Sequence, residues 1–240
     1  MNILSSFEQF HGDIRRNKWM RFFTTFLRIA LAYAFLMAGF TKVIGERFTS
    51  LSNNHPMGHY LEALYHTDFY YTFIGVAQML AGLLLLVPRT ALLGAIFYFP
   101  IILNICILSY AVRFEGSVLT TPLMVLANLY LICWDFHRWK YVLPHRPTTI
   151  KAAFPEIYSQ TNRFPLKFLT MILVTLVIVV GLVFTMSQKA NMPRNSFPEC
   201  LTQCPDSSNP EACKSFCECI HENGNSLENC LEAYGTKFSK

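Results

Sequence analysis

Five long apolar runs alternate with polar stretches along the chain: about Phe22–Ile44, Tyr70–Val87, Ala91–Val112, Val118–Trp134 and Leu166–Met186. Each is long enough to cross a hydrocarbon core of ~30 Å as a helix rising ~1.5 Å per residue. The first four lack period-two alternation, so they predict helices, not strands. The fifth, LKFLTMILVTLVIVVGLVFTM, carries no charge after Lys167. A polar, charged segment precedes the first run and no cleavage site follows it, so that run reads as a retained signal-anchor. The predicted fold class is all-α: a polytopic membrane helix bundle with a small disulfide-stapled helical extracytoplasmic domain. The predicted segments are a basic N-terminus (1–21), a four-helix bundle (22–145), a linker (146–165), a fifth transmembrane helix (166–186) and a cysteine-rich domain (187–240).

Composition agrees with that pattern. Hydrophobic residues make up 52% of the chain and charged ones 15%, against roughly 25% charged in average soluble domains. Disorder is excluded by the apolar content. The net charge of +5 hides a division. Residues 1–189 hold 16 basic and 8 acidic side chains, and residues 190–240 hold 4 and 7. The basic excess follows the loops: Arg15, Arg16, Lys18 and Arg21 before the first run, Arg89 in a tight turn, and Arg138, Lys140, Arg146, Lys151, Arg163 and Lys167 before the fifth. The facing loops offer Arg47 and Arg113. The positive-inside rule therefore predicts a cytoplasmic N-terminus and an extracytoplasmic C-terminus. Trp19, Trp134 and Trp139 are then expected at the cytoplasmic interface. The charge reports topology and contact with membrane lipids, not nucleic acid.

Six of the eight cysteines crowd the C-terminal segment: Cys200-x3-Cys204, Cys213-x3-Cys217, Cys219 and Cys230. Such density in a short extracytoplasmic segment reads as a disulfide framework. Ser196-Phe-Pro-Glu199 predicts a capped helix stopped by Pro205. Asn209-Pro210-Glu211 predicts a second helix ending at Gly224, and Ser226 a third ending at Gly235. Residues four apart share a helix face, so two antiparallel helices join outer to outer and inner to inner, as Cys200–Cys217 and Cys204–Cys213. Cys219 lies about 200° round from Cys217 and meets Cys230 on the third helix. The apolar stock is Phe197, Leu201, Phe216, Ile220, Leu227 and Leu231, too little to stabilise the segment without staples. A zinc site favours C-x2-C pairs. A redox-active Cys217-Glu218-Cys219 is the competing reading.

Several residues carry a family likeness. The first run contains Arg28 early and ends Gly39-Phe40-Thr41-Lys42. The second reads Gly75-Val76-Ala77-Gln78-Met79-Leu80-Ala81-Gly82-Leu83 and closes with Val87-Pro88-Arg89. Gly94-Ala95 opens the third, and the loop between runs one and two reads His55-Pro56-Met57-Gly58-His59-Tyr60-Leu61. Over roughly residues 20–140 the chain resembles the DoxX family. The resemblance implies a four-helix integral membrane protein. Members of that family include membrane subunits of thiosulfate:quinone oxidoreductases and partners of extracytoplasmic redox enzymes. More distant relatives act as membrane chaperones or cargo receptors, so the resemblance implies a role of one of these kinds. The fifth run and the cysteine segment stand outside it.

Polar groups inside the runs are costly in hydrocarbon and mark a bundle interior or a site. Arg28, Lys42, Gln78, Asn104 and Asn128 are the candidates, either lining a pocket for a quinone or lipid headgroup or forming interhelical hydrogen bonds. Depth makes a specific partner necessary for Arg28. His59, Glu62 and His66 share a helical face in the first external loop and are weak candidates for a metal. Cys106 and Cys133 read as packing residues. No P-loop, GxGxxG, HExxH, CxxCH or GxSxG motif is present. The expected function is an accessory or scaffold subunit of a larger complex in a bacterial-type inner membrane, presenting its cap to other protein subunits. The alternatives are the membrane part of a quinone-linked oxidoreductase and a membrane chaperone or thiol-handling factor.

Overall fold

The first apolar run begins where Asn17 can cap it. In the computed structural model, which describes residues 14–135 and 163–238, the Asn17 side chain accepts from the Trp19 N–H at 2.9 Å. That bond satisfies one of the amides an opening helical turn leaves without a partner. Helix α1 then runs Lys18–Val43. It is followed by α2 (Pro56–Tyr65), α3 (Phe69–Leu86), α4 (Ala91–Ala111), α5 (Glu115–Val118), α6 (Thr120–Trp134), α7 (Leu166–Lys189), α8 (Phe197–Leu201), α9 (Pro210–His221) and α10 (Leu227–Phe238). Five helical stretches are long and apolar enough to cross a membrane: α1, α3, α4, α5 with α6, and α7. Arg138, Trp139, Lys140, Arg146, Lys151 and most of the linker predicted over 146–165 lie outside the described residues.

The fourth span departs from its predicted start at Val118. A short turn, α5, precedes α6, and Pro122 gives the reason. A proline has no N–H to bond the carbonyl four residues back, so the Val118 carbonyl turns elsewhere and accepts from the Tyr110 hydroxyl at 3.2 Å.

Helix α1 packs on α3, α3 on α4 and α4 on α6, and α6 closes the ring against α1. The core holds Leu31, Phe35, Leu85, Tyr98, Ile102 and Leu131 among others. The Phe35 and Tyr98 rings stack with centroids 3.4 Å apart. Helices α1 and α3 approach through glycines. Gly39 faces the Gly75 carbonyl, and Gly82 faces the Ala32 carbonyl. On each helix the two small residues are seven apart, so they form one seam.

Helix α7 stands outside this ring, and none of its apolar window is buried. Near its N-terminal end Phe168 meets Phe23 and Tyr130, with ring centroids 5.9 and 5.8 Å apart. Phe164 meets Trp19, and the Asn17 side-chain amide donates to the Arg163 carbonyl.

Beyond α7, three cystines hold α8–α10 together as a cap. Cys200–Cys217, Cys204–Cys213 and Cys219–Cys230 have Cα separations of 5.7, 5.3 and 5.8 Å, the same pairs that the helix-face argument selects. Phe216 and Ile220 fill the centre among the sulfurs, with Phe197, Leu201, Leu227 and Leu231 packed round them. Asn209 caps α9 by accepting from the Ala212 N–H, and Gly224 takes the left-handed φ of +62° that the turn after α9 requires. Two local expectations fail. The Ser196 side chain makes no cap bond; the Glu199 carboxylate instead accepts from the Asn195 N–H. Helix α10 passes through Gly235, because glycine ends a helix only where the backbone turns left-handed.

Candidate functional site

The two ends of the bundle carry different chemistry. At the end remote from Arg15, the cap sits on the loops of its own chain. Arg113 donates to the Asn191 carbonyl at 2.8 Å. Arg194 pairs with Glu115, and the Asn54 side-chain amide donates to the His221 carbonyl at 2.6 Å. Arg113 and Arg194 both have positive φ, 51° and 55°. That conformation is uncommon for side-chain-bearing residues and persists where surrounding contacts enforce it.

His55 is the centre of this seat. It is 1% exposed, and its Nδ1 accepts from the Met57 N–H at 3.1 Å, capping α2. Its ring lies 5.9 Å from Phe114 and 6.2 Å from His221, and the His221 Nε2 is bonded to the Pro193 carbonyl. Burial, and secondarily His221, push the His55 pKa down from 6.5 to about 4, against a hydrogen bond to the Arg194 backbone that raises it. The folded state therefore prefers the neutral ring. Its contribution to stability is complete above pH 6.5 and is lost as the pH falls through about 4. Each pH unit inside that window removes on the order of 1 kcal/mol at most. Protection factors at the α2 N-terminus, which correct for the slower intrinsic exchange in acid, are expected to fall between pH 6.5 and 4.5. His55→Asn, which keeps a capping side chain without the titration, is expected to flatten the dependence.

At the opposite end, the start of α1, the turn at Pro88 and the end of α6 line a half-open cleft of about 340 Å³. Arg28 lies ten residues into α1, and its side chain reaches back toward the helix N-terminus, as α-helical geometry favours. One Asp135 oxygen is 3.7 Å from Arg28, and the other is 3.6 Å from Arg15. Asp135 is 2% exposed, and it gives Arg28 the specific partner its depth requires. The Arg15 guanidinium also lies over the Trp134 ring, 5.7 Å from its centroid. Trp19 and Trp134 thus fall at one end of the bundle.

The other intramembrane candidates are dispersed. Lys42 lies fourteen residues beyond Arg28, about 21 Å along α1. It is buried, donates to the Ala38 carbonyl at 2.9 Å and rests 4.1 Å from the Phe48 ring centroid. Asn128 donates to the Ala95 carbonyl at 3.0 Å, tying α6 to α4. Gln78 is buried in α3, whereas Asn104 is exposed on α4. The Gln78 Oε1, Tyr98 hydroxyl and Asn128 Oδ1 are buried without a hydrogen-bond partner. These five candidates do not converge on one quinone headgroup, because Arg28 and Lys42 lie about 21 Å apart along one helix and Asn104 is exposed.

A protein of Bacillus subtilis (strain 168), named as the uncharacterized protein YwoB, is 32% identical to this chain over 126 residues, half of this chain and 81% of the relative. The chain belongs to the YwoB family. No protein-family model matches it, and no solved structure does. The YwoB match is too short to contain the bundle, α7 and the cap of this protein together, so part of the architecture described above lies beyond the aligned stretch.

In this YwoB-family protein the candidates on and beside α2 are engaged with one another and with a cation. Glu62 pairs through one oxygen with Arg47 Nε at 2.7 Å and through the other with His66 Nε2 at 3.1 Å. His59 is exposed on the same short helix. Among the described residues, the group with ligand atoms close enough for a metal is Cys204, Cys213 and Cys217, whose sulfurs are already in disulfides. The sequence reading missed Asp135, Arg15, Arg21, His221 and the capping role of His55. A signal existed for His55: a polar residue directly before Pro56 is the pattern of an N-cap followed by proline at N1.

Proposed function

We propose that this YwoB-family protein is a membrane accessory subunit, a DoxX-like four-helix anchor to which α7 and a disulfide-stapled cap have been added for a partner complex. The observation that carries this reading is α7, a fifth apolar span with none of its window buried. It is fixed near its N-terminal end by Phe164 and Phe168, and just beyond its C-terminal end by the cap seat. Such a helix adds nothing to the bundle core and leaves a long apolar face for a partner's helices. The lysine and arginine distribution supports a cytoplasmic N-terminus and an extracytoplasmic cap in a bacterial inner membrane, where six cysteines would oxidise.

A photocrosslinker at Val177, 61% exposed on α7, is expected to capture a discrete membrane protein in native membranes. The same probe at Phe73, 56% exposed on α3, is expected to capture lipid. Equal, diffuse labelling from both positions would remove the support for a partner. In right-side-out vesicles, protease is expected to reach the cap and spare the basic N-terminal end. The quinone-linked alternative draws on the three orphaned polar atoms around Gln78, Tyr98 and Asn128, and extractable quinone is its test. The thiol-handling alternative draws on two neighbouring disulfides, with Cys204 Sγ 3.9 Å from Cys217 Sγ, and thiol labelling of the intact chain is its test.

A further inference from the structure

We propose that the cap is a reduction-gated metal site, in which Cys200, Cys204, Cys213 and Cys217, freed from their two disulfides, hold one zinc ion as four thiolates. The two cystines meet inside the cap. Cys204 Sγ lies 3.9 Å from Cys217 Sγ of the other disulfide. The sulfurs of Cys204, Cys213 and Cys217 all lie within 4.8 Å of one another, and Cys200 is bonded to Cys217. Thiolates at about 2.3 Å from a tetrahedral zinc stand about 3.8 Å from each other. One edge of that tetrahedron is therefore already in place between the two cystines.

Helix geometry supplies the rest. Loops bring two thiolates to one zinc through C-x2-C spacing. On a helix C-x3-C does the same, because residues four apart share a face. Cys213 and Cys217 stand in this way on α9, and Cys200 and Cys204 on α8 and the turn that continues it. The facing backbones are close, with Cα separations of 5.7 and 5.3 Å. The set offers sulfur alone, which selects a soft cation against magnesium or calcium. Gln203 supports it from outside: its side-chain amide donates to Cys200 Sγ at 3.4 Å and to the Met192 carbonyl at 2.6 Å. An N–H aimed at a sulfur favours the thiolate and fixes its direction. Phe216 and Ile220 pack round the sulfurs and keep water out.

As disulfides these sulfurs are not ligands, and that is the gate. Two dithiols, each giving two electrons and two protons, reduce the two cystines to four thiols and leave as two disulfides. Zinc binding then releases the thiol protons. The third cystine, Cys219–Cys230, contributes none of the four sulfurs. A bound cation cross-links α8 to α9 as the disulfides did, in a cap too small to stand without cross-links. The site lies within the cap and does not depend on a partner at α7.

The test uses the full-length protein in detergent, either oxidised or reduced by a phosphine and kept without oxygen. It is titrated with cobalt(II), whose visible absorption reports a tetrahedral tetrathiolate, and then with zinc(II). The reduced protein is expected to take up one equivalent of cobalt with that absorption and to lose the colour when zinc displaces it. Hydrogen-exchange protection over residues 197–221, lost on reduction, is expected to return with the metal. The oxidised protein is expected to give no such spectrum. Cys219→Ala with Cys230→Ala keeps all four ligands and is expected to bind as before. Cys204→Ala with Cys213→Ala is expected to abolish the tetrathiolate spectrum and weaken binding about tenfold or more. Both variants keep the membrane thiols Cys106 and Cys133, so binding at those thiols would survive either change. Four results overturn the proposal: no cobalt uptake by the reduced protein, equal uptake by the oxidised one, a spectrum that survives Cys204→Ala with Cys213→Ala, or uptake that leaves residues 197–221 unprotected, as chelation by an unfolded cap would.

Discussion

Gly39→Ala is expected to destabilise the bundle by about 2 kcal/mol or more, the scale of forcing an extra carbon into a closely packed interior. A Cβ at Gly39 would lie 2.6 Å from the Gly75 carbonyl oxygen and 2.7 Å from Met79 Cγ. The methionine can swing aside, but the carbonyl is fixed in α3, so the two helices must separate. Gly75→Ala meets the same obstacle from the other side, 2.8 Å from the Gly39 carbonyl and from Lys42 Cβ. Because both substitutions widen one seam, their combination is expected to cost less than the sum of the two. The measurement is unfolding of the purified chain in bicelles by graded SDS. Gly181→Ala on α7 is the control, since nothing lies within 4 Å of its Cβ position. There the better helix propensity of alanine is expected to leave stability unchanged or slightly raised.

The second large effect belongs to the cap. Replacing Cys200 and Cys217 together by alanine is expected to cost the cap about 2–5 kcal/mol, the range for a native disulfide in a small domain. The reason is the scarcity of other material. Phe216 and Ile220 are the large buried side chains of the cap core, and the remaining volume is cystine sulfur. Without the staple across residues 200 and 217, α8 keeps only five helical residues and has little to hold it against α9. Hydrogen exchange is the measurement. Protection is expected to fall throughout residues 197–238 while the core of α1, α3, α4 and α6 keeps its own. The seat contacts Asn54–His221 and Arg194–Glu115 should be lost with the cap. A bundle that melted together with the cap would show that the seat transmits more stability than its few polar contacts imply.

The two predictions separate a membrane body held by close helix approach from an outer domain held by covalent staples. The join between them is polar and local: His55, Asn54, Arg113 and Arg194. Burial favours the neutral form of His55 at this join, so the join is expected to weaken in acid. At the other end, Asp135 gathers Arg15 and Arg28 where the chain meets its basic flank.

Much of this was legible in the order of residues. Helical spans follow from uninterrupted apolar runs, because hydrocarbon leaves the backbone no hydrogen-bond partner except itself. The three cystines followed from spacing, because four residues return a helix to the same face and two leave it nearly opposite. Local geometry decides both, and local geometry is written in sequence. The sites were less legible. Arg28 announced that it needed a partner but not that the partner was Asp135, more than a hundred residues away at the end of α6. His55 looked like a neighbour of the His59–Glu62–His66 stripe and proved instead to be the buried pivot of the cap. Lys42 and Arg28, alike in charge, were separated by about half the length of the helix that carries both. Sequence by itself determined which segments span and which cysteines can meet; only the tertiary structure decided which charges face one another. Periodicity records the face a residue occupies, whereas charge pairing depends on how separate helices are brought end to end.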